Sequence, residues 1–346
     1  MASQILSFSN HFSTVSSQIS GSLLSEKNRL LMDKFSSELP YGISSVMGFE
    51  SRLGDPEAFL DFMLYFYGSH DGTALLAGKS NISEVGANLT ELPQWQSIHR
   101  FFEAWVDTDS FLNRSIDGFW FEFDFQRSVL HPEPNVFFNI ISENEQDAFI
   151  NHDYFTRVFD EIYQVMSGSG FPEKIKSNLH KFCKLLPLQA SIHQFGIMIP
   201  RKTEAIRIIL AKTGFHDLKN LLNDMNWEGE MNTVETVMDM FACHFDYSVF
   251  SINLGETMLP DLGIEMYYRN QAQPAWESRW KTVFDLLQDK GMALPEKVAG
   301  LANFCGKVTS SHWIPVTYYN GINHIKLSCK PGKPVDCKAY FGTMIR

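Results

Sequence analysis

Positive charge is scarce in this sequence: 29 Lys and Arg residues stand against 40 Asp and Glu residues in 346, a net charge of −11. A chain so acidic lacks the cationic footprint that nucleic acid or an anionic membrane surface requires, so neither is expected as a partner. Cysteine is sparse too. Cys183, Cys243, Cys305, Cys329 and Cys337 are odd in number and show no CxxC spacing, which argues for scattered buried thiols in a reducing compartment. No apolar run reaches the roughly 18 residues needed to span a bilayer. The Ser-rich stretch through Gly21 has neither a basic nor an apolar leader region. The expectation is a cytoplasmic chain with residues 1–21 a partly mobile lead-in and 22–346 a single domain. Familiar motifs are missing as well. There is no GxSxG, Walker or GxGxxG context and no Asp-rich DDxxD signature, for which Asn223-Asp224-Met225-Asn226 is a poor substitute. His193, His244, His312 and His324 have no metal-ligand spacing, and Gly168-Ser169-Gly170 reads as a helix cap and linker.

What the chain does have is aromatic bulk: aromatics make up 14% of residues and Phe occurs 29 times. Aromatics bury large area at low rotamer cost, which suits a wide core or an apolar pocket. It also has a repeat of pattern rather than of letters. Five times, helix-period stretches are followed by two strand-like runs joined by a turn. The runs are Ser44–Leu53 with Ala58–Tyr67, Gly118–Phe125 with Asn135–Ile141, and Ile192–Ile199 with Glu204–Leu210. Tyr247–Leu254 with Leu262–Arg269, and Asn323–Cys329 with Val335–Gly342, complete the set. Turns are expected at Gly54-Asp55-Pro56, His131-Pro132-Glu133-Pro134, Pro200-Arg201-Lys202, Pro260-Asp261 and Pro331-Gly332-Lys333-Pro334. Helices are expected at, among others, Asp153–Met166, Glu173–Leu185, His216–Met225, Val234–His244, Trp276–Lys290 and Pro295–Phe304. Close strand pairs exclude a parallel βαβ fold. The expected class is α+β: a ten-stranded antiparallel β-barrel of five αββα repeats surrounded by helices, closure being favoured because it removes exposed edges.

Alternation along the runs separates two faces. One is apolar throughout, such as Phe119, Phe121, Phe123 and Phe125, and has only the helices to pack against. The other mixes charge with large aromatics. In an open sheet that mixed face would meet water; Trp120, Tyr65, Tyr67, Tyr267 and Tyr340 on it fit an enclosed, partly wet chamber better. Arg52, Arg207, Arg269, Lys326 and Lys338, from four of the five hairpins, would converge there as a diphosphate cradle. Tyr65, Tyr67, Tyr267 and Tyr340 would shield a carbocation from water. Of the acids on this face, Asp61, Asp124 and Asp336 read mainly as ion-pair partners. Glu50 or Glu122 is the candidate to take a proton from an aromatic acceptor. Trp120, Glu265 and His324 would line the acceptor pocket.

This combination resembles the ABBA-type (αββα-barrel) aromatic prenyltransferases, a superfamily of soluble indole, phenol and peptide enzymes. The resemblance spans residues 40–343 and is carried by three short echoes. Phe49-Glu50 is similar to the first-strand catalytic Glu of the fungal enzymes, Lys338-Ala339-Tyr340 to their Lys-x-Tyr diphosphate pairs, and Gly263-Ile264-Glu265 to a Gly-x-Glu strand in the peptide enzymes. It implies transfer of an isoprenyl group from an allylic diphosphate to an aromatic small-molecule or peptide acceptor. It implies no required cofactor, while Mg²⁺ through Asp61, Glu122 or Asp124 plus the diphosphate stays open. Two departures stand against it. The second hairpin offers no inward base, with Asn135 and Asn139 in the places where Lys or Arg is expected, and the third offers only Arg207. A non-catalytic ligand-binding barrel and an isoprenoid cyclase are the rival readings.

Overall fold

The structure, a computed structural model, describes residues 7–67, 71–78, 93–125, 132–141, 152–168, 170, 172–198, 205–269, 277–310 and 315–346. Hairpins form where alternating runs flank a turn: β1 (Val46–Arg52) with β2 (Leu60–Tyr67), β3 (Ile116–Phe123) with β4 (Pro134–Ile140), and β5 (Ser191–Ile197) with β6 (Ile206–Ala211). They continue as β7 (Tyr247–Leu254) with β8 (Met258–Tyr267) and, after a short β9 (Gly306–Thr309), β10 (Thr317–Cys329) with β11 (Asp336–Ile345). Each of β1 to β7 pairs antiparallel with the next strand, β8 pairs with β10, β10 with β11, and β11 returns to β1. Ten strands thus close a barrel. The unforeseen β9 lies outside the ring, pairing only with the first four residues of β10.

Helices precede each hairpin and cover the barrel: α1 (Ser9–Ser16), α2 (Glu26–Ser37), α3 (Asp71–Leu76), α4 (Pro93–Trp105), α5 (Phe111–Ser115), α6 (His152–Ser167) and α7 (Glu173–Leu185). The rest are α8 (Phe215–Asp224), α9 (Met231–Phe241), α10 (Arg279–Asp289) and α11 (Pro295–Phe304). Their apolar stripes meet the outward face of the strands. On α4, Trp95, Ile98, Phe101, Phe102 and Trp105 recur at helical spacing and are buried. Phe119 packs 5.4, 5.0 and 5.0 Å from the rings of Phe101, Phe102 and Trp105. The Phe stripe of β3 is therefore core between sheet and helices.

Within the stretch expected as a lead-in, Phe8, Phe12, Val15 and Ile19 are buried, and the Phe8 and Phe12 rings lie 6.5 and 6.1 Å from Phe62. Residues 1–6 lie outside the described residues. The fourth turn is at Gly255–Thr257, not Pro260-Asp261, because β8 begins at Met258. Pro260 is tolerated inside a strand because β10 pairs only from Leu262 onward, so no ladder bond needs its missing N–H. The third expected turn, at residues 200–202, lies outside the described residues. No helix among the described residues is long and apolar enough to cross a membrane.

Candidate active site

Because neighbouring strands run antiparallel, the ends at which the two strands of each hairpin follow one another lie at one end of the barrel, and their other ends lie at the helix end. The inward faces of the strands place charge at the hairpin end. Cross-strand register sets Glu50 beside Tyr340 and Asp61, Arg52 beside Lys338, and Lys338 beside Lys326, which neighbours Glu265. Lys338 Nζ donates to Glu50 Oε1 at 2.6 Å, and the Tyr340 hydroxyl donates to Glu50 Oε2. Arg52 lies 4.0 Å from Glu50 and 3.9 Å from Asp61. Lys326 Nζ donates to Glu265 Oε1 at 2.8 Å, and the Tyr267 hydroxyl donates to Oε2 at 2.9 Å. Gly263 makes this possible: a Cβ there would stand 2.6 Å from Lys326 Cε and 3.0 Å from Ser251 Cβ. Arg207 Nε donates to Asn253 Oδ1 at 2.9 Å, and Asn253 Nδ2 donates to Asp261 Oδ2 at 3.0 Å. Among the described residues no carboxylate comes within ion-pair distance of Arg207, so its guanidinium stays uncompensated beside a polar cavity of about 110 Å³. Glu50, Glu122, Lys326, Lys338 and Tyr340 line the same cavity.

Further toward the helix end the chamber turns aromatic. His324 stacks on Tyr340 at 4.3 Å and lies tilted against Tyr267 at 4.6 Å, and Tyr267 stacks on Tyr247 at 5.1 Å. Across the barrel, Tyr65 packs against Trp120 at 4.8 Å and Tyr67 at 4.5 Å. Asn139 Nδ2 donates to the Tyr65 hydroxyl at 2.9 Å, and Gln194 donates to Asn139 Oδ1 at 2.8 Å. Tyr67 and Tyr247 are 39% and 40% exposed, which puts them on the rim of this end rather than inside.

Burial and pairing pull the acids apart. Burial raises Glu50 and Glu265, but Lys338 with Tyr340 holds the first well below the usual carboxylate range, and Lys326 with His324 holds the second at about 2. Asp61 goes the other way. Burial, then Glu50, Asp124 and Glu122, push it up to about 8 against the pull of Arg52. The chamber thus keeps ionised carboxylates and a neutral carboxylic acid side by side at pH 7. Burial drives His324 down to about 4, so its imidazole is neutral, and Tyr340 and Tyr267 are raised by burial and by the carboxylates they bond.

Of the expected residues, Glu50, Arg52, Arg207, Glu265, His324, Lys326, Lys338, Tyr267 and Tyr340 come together on one side of the chamber, with Glu122 reaching the same cavity. Tyr65 and Trp120 face them from β2 and β3. Arg269 does not join them: it lies past the end of β8, exposed, its backbone N–H donating to Asp246 at 2.8 Å. Its alternation is right, but the strand stops two residues short of it. Sequence reasoning missed Asn253, Asp261, Ser328 and Lys330, which also line the cavity. The signal for Asn253 was present, since it shares the alternation of Tyr247 and Ser251. Among the described residues no three His, Cys, Asp or Glu side chains gather as a metal-holding group.

No protein-family model and no curated protein matches the sequence. Solved structures do match in shape. The apo crystal structure of prenyltransferase PriB aligns over 96% of this chain and 94% of its own, at 12% identity and a TM-score of 0.53. PriB in a binary complex with product diphosphate aligns over 96% and 95%, at 12% identity and a TM-score of 0.51. A 5-dimethylallyltryptophan synthase from Streptomyces coelicolor aligns over 97% of both chains, at 12% identity and a TM-score of 0.49. The fold is that of the αββα-barrel prenyltransferases. At such low identity the ABBA barrel is shared while nearly every side chain is free to differ, so the chemistry rests on the residues described above.

Proposed function

We propose that this chain is a soluble, cytoplasmic aromatic prenyltransferase, moving an isoprenyl group from its diphosphate to an aromatic small-molecule or peptide acceptor. One observation carries the reading: within a closed barrel, Arg207, Lys326 and Lys338 converge at the hairpin end, directly above a belt of Tyr340, His324 and Tyr267. A diphosphate at that cavity would meet Arg207 first, because among the described residues no carboxylate pairs with its guanidinium. It would then compete with Glu50 for Lys338 and with Glu265 for Lys326. The allylic C–O bond breaks, the diphosphate leaves with the electron pair, and the tyrosine faces shield the cation. The aromatic acceptor attacks the cation, and the ring loses a proton. Glu50 is suited to take it once the diphosphate has drawn Lys338 away, since losing that partner restores its basicity; Glu122 is the second candidate. PriB, which shares the fold, has been crystallised with product diphosphate, in keeping with this reading.

The direct test is incubation with dimethylallyl or geranyl diphosphate and tryptophan, a phenol or an aromatic peptide, scored by diphosphate release and product mass. Running it with EDTA and with added Mg²⁺ decides whether the metal assists. The pairing of Lys326 and Lys338 with Glu265 and Glu50 also favours a second reading, a non-catalytic binding barrel. That reading predicts a thermal shift with apolar ligands and none with diphosphates. A prenyl product formed without any acceptor would point instead to a cyclase.

A further inference from the structure

Glu265 is faced by two bases from the same strand. Lys326 bonds its Oε1 at 2.8 Å, while His324 Nε2 stands 3.8 Å from its Oε2, which the Tyr267 hydroxyl already occupies. His324 Nδ1 lies 2.6 Å from Asn323 Oδ1. That oxygen only accepts, so Nδ1 carries the ring proton and Nε2 presents a bare lone pair. Nε2 is shut off from solvent and has no hydrogen-bond partner among the described residues. A lone pair turned toward a carboxylate gains nothing until a proton lies between them.

We propose that His324 is a positioning residue for diphosphate capture: as the diphosphate draws Lys326 away from Glu265, His324 takes up a proton and replaces the lysine as the carboxylate's partner. The proposal rests on the prenyltransferase reading and adds to it an order of charge exchange. The groups acting on His324 are Glu265 and Tyr267 on β8, Tyr340 on β11, Glu50 on β1, and Lys326 on its own strand; His193 on β5 also lies in the field of Glu265, and Arg207 and Lys338 in that of Lys326. In the free protein, burial and then Lys326 keep the imidazole neutral against the pull of Glu265 and Glu50. A multiply charged anion on Lys326 and Arg207 cancels the repulsive side of that balance and leaves the attractive side intact. The new proton comes from solvent, sits on Nε2 and closes the gap to Glu265; no carbon bond is made or broken. The flanking Tyr340 and Tyr267 faces accept an imidazolium through their π-systems. Linkage is reciprocal, so protonation must also tighten diphosphate binding.

The test is titration calorimetry of wild type, His324→Gln and Glu265→Gln with inorganic pyrophosphate. It is run in two buffers of different ionisation enthalpy and from pH 6 to 8. The ligand's own titration cancels between proteins. Wild type should take up more protons than His324→Gln, by up to one per ligand. Its Kd should tighten more steeply as pH falls, the one-proton limit being about ten-fold per pH unit. Glu265→Gln, which releases Lys326 in advance, should bind more tightly and lose the extra uptake. Equal proton uptake and equal slopes in all three overturn the exchange while leaving the prenyltransferase reading intact. A wild type that neither binds pyrophosphate nor releases it from prenyl diphosphates removes both.

Discussion

Asp61 is buried, accepts the Phe125 backbone N–H at 3.1 Å and stands among Glu50, Glu122 and Asp124, with Arg52 pulling the other way. Its folded value of about 8 against an ordinary 3.8 means the unfolded chain releases this proton first, so the stability it contributes is lost as pH rises from about 4 to about 8. Asp61→Asn keeps the acceptor oxygen and removes the titration. At pH 8.5 it should be more stable than wild type by at least about 1.4 kcal/mol, the worth of one pKa unit. Urea denaturation at pH 5 and pH 8.5 checks this, and an equal difference at both would sink it. The acid side has the opposite slope. Glu265, held at about 2 instead of 4.5, contributes stability above 4.5 that fades toward 2. His324, held at about 4 instead of 6.5, loses stability as pH falls through that interval. Between about pH 6.5 and 4 the loss at His324 offsets the gain at Asp61, so thermal midpoints should rise with acidity in His324→Gln where wild type stays level, and both should drop below about pH 4.5 as Glu265 takes its proton. For activity, Arg207→Ala, Lys326→Ala and Lys338→Ala should each cost about 10²–10³ in kcat/KM, as removal of one electrostatic stabiliser does elsewhere. Arg269→Ala, outside the chamber, should leave it unchanged. Steady-state kinetics of the four variants decides between a focused cradle and a diffuse field.

Elements show where sequence reading succeeds and why it stops. Alternation identifies the inward residues wherever a strand runs regularly, which is why Glu50, Lys326, Lys338 and Tyr340 were legible in advance. Bulges break that rule without a mark in the sequence. The register of β10 against β11 shifts between Ile322 and His324, so alternation holds from His324 to Cys329 but is offset before it. Strand ends are equally silent, and Arg269 was misplaced because nothing local says that β8 stops at Tyr267. Elements also depend on single remote contacts. Lys297 of α11 is buried, and its Nζ donates to the carbonyls of Arg52 at 2.7 Å and Glu57 at 2.8 Å, pinning the helix to the first hairpin. Lys297→Met keeps the stem but leaves both oxygens without a donor, an expected loss of about 1–3 kcal/mol in urea denaturation. An unchanged midpoint would mean that water replaces the ammonium.

At the scale of the molecule, closure depends on β11, which pairs with β10 on one side and β1 on the other. A chain truncated after Lys333 would expose two long edges and also lose Lys338 and Tyr340. It should fail to give a cooperative melt by circular dichroism and should aggregate. A truncated chain that stays monomeric and melts cooperatively would show that the remaining strands are self-sufficient. The repeat that revealed the barrel is visible at this scale and at no smaller one, since the five hairpins share pattern and turn position rather than residues.

The pairing of the first strand with the last also has a consequence for how the protein comes into being. Synthesis proceeds at about 5–20 residues per second, so β1 leaves the ribosome on the order of tens of seconds before β11 exists. Throughout that interval β1 can pair with β2 on one side, while its other edge waits for a partner that has yet to be translated. The ring therefore cannot close until β11 has been made, and an early release or a stalled ribosome before that point yields a chain with two unpaired edges.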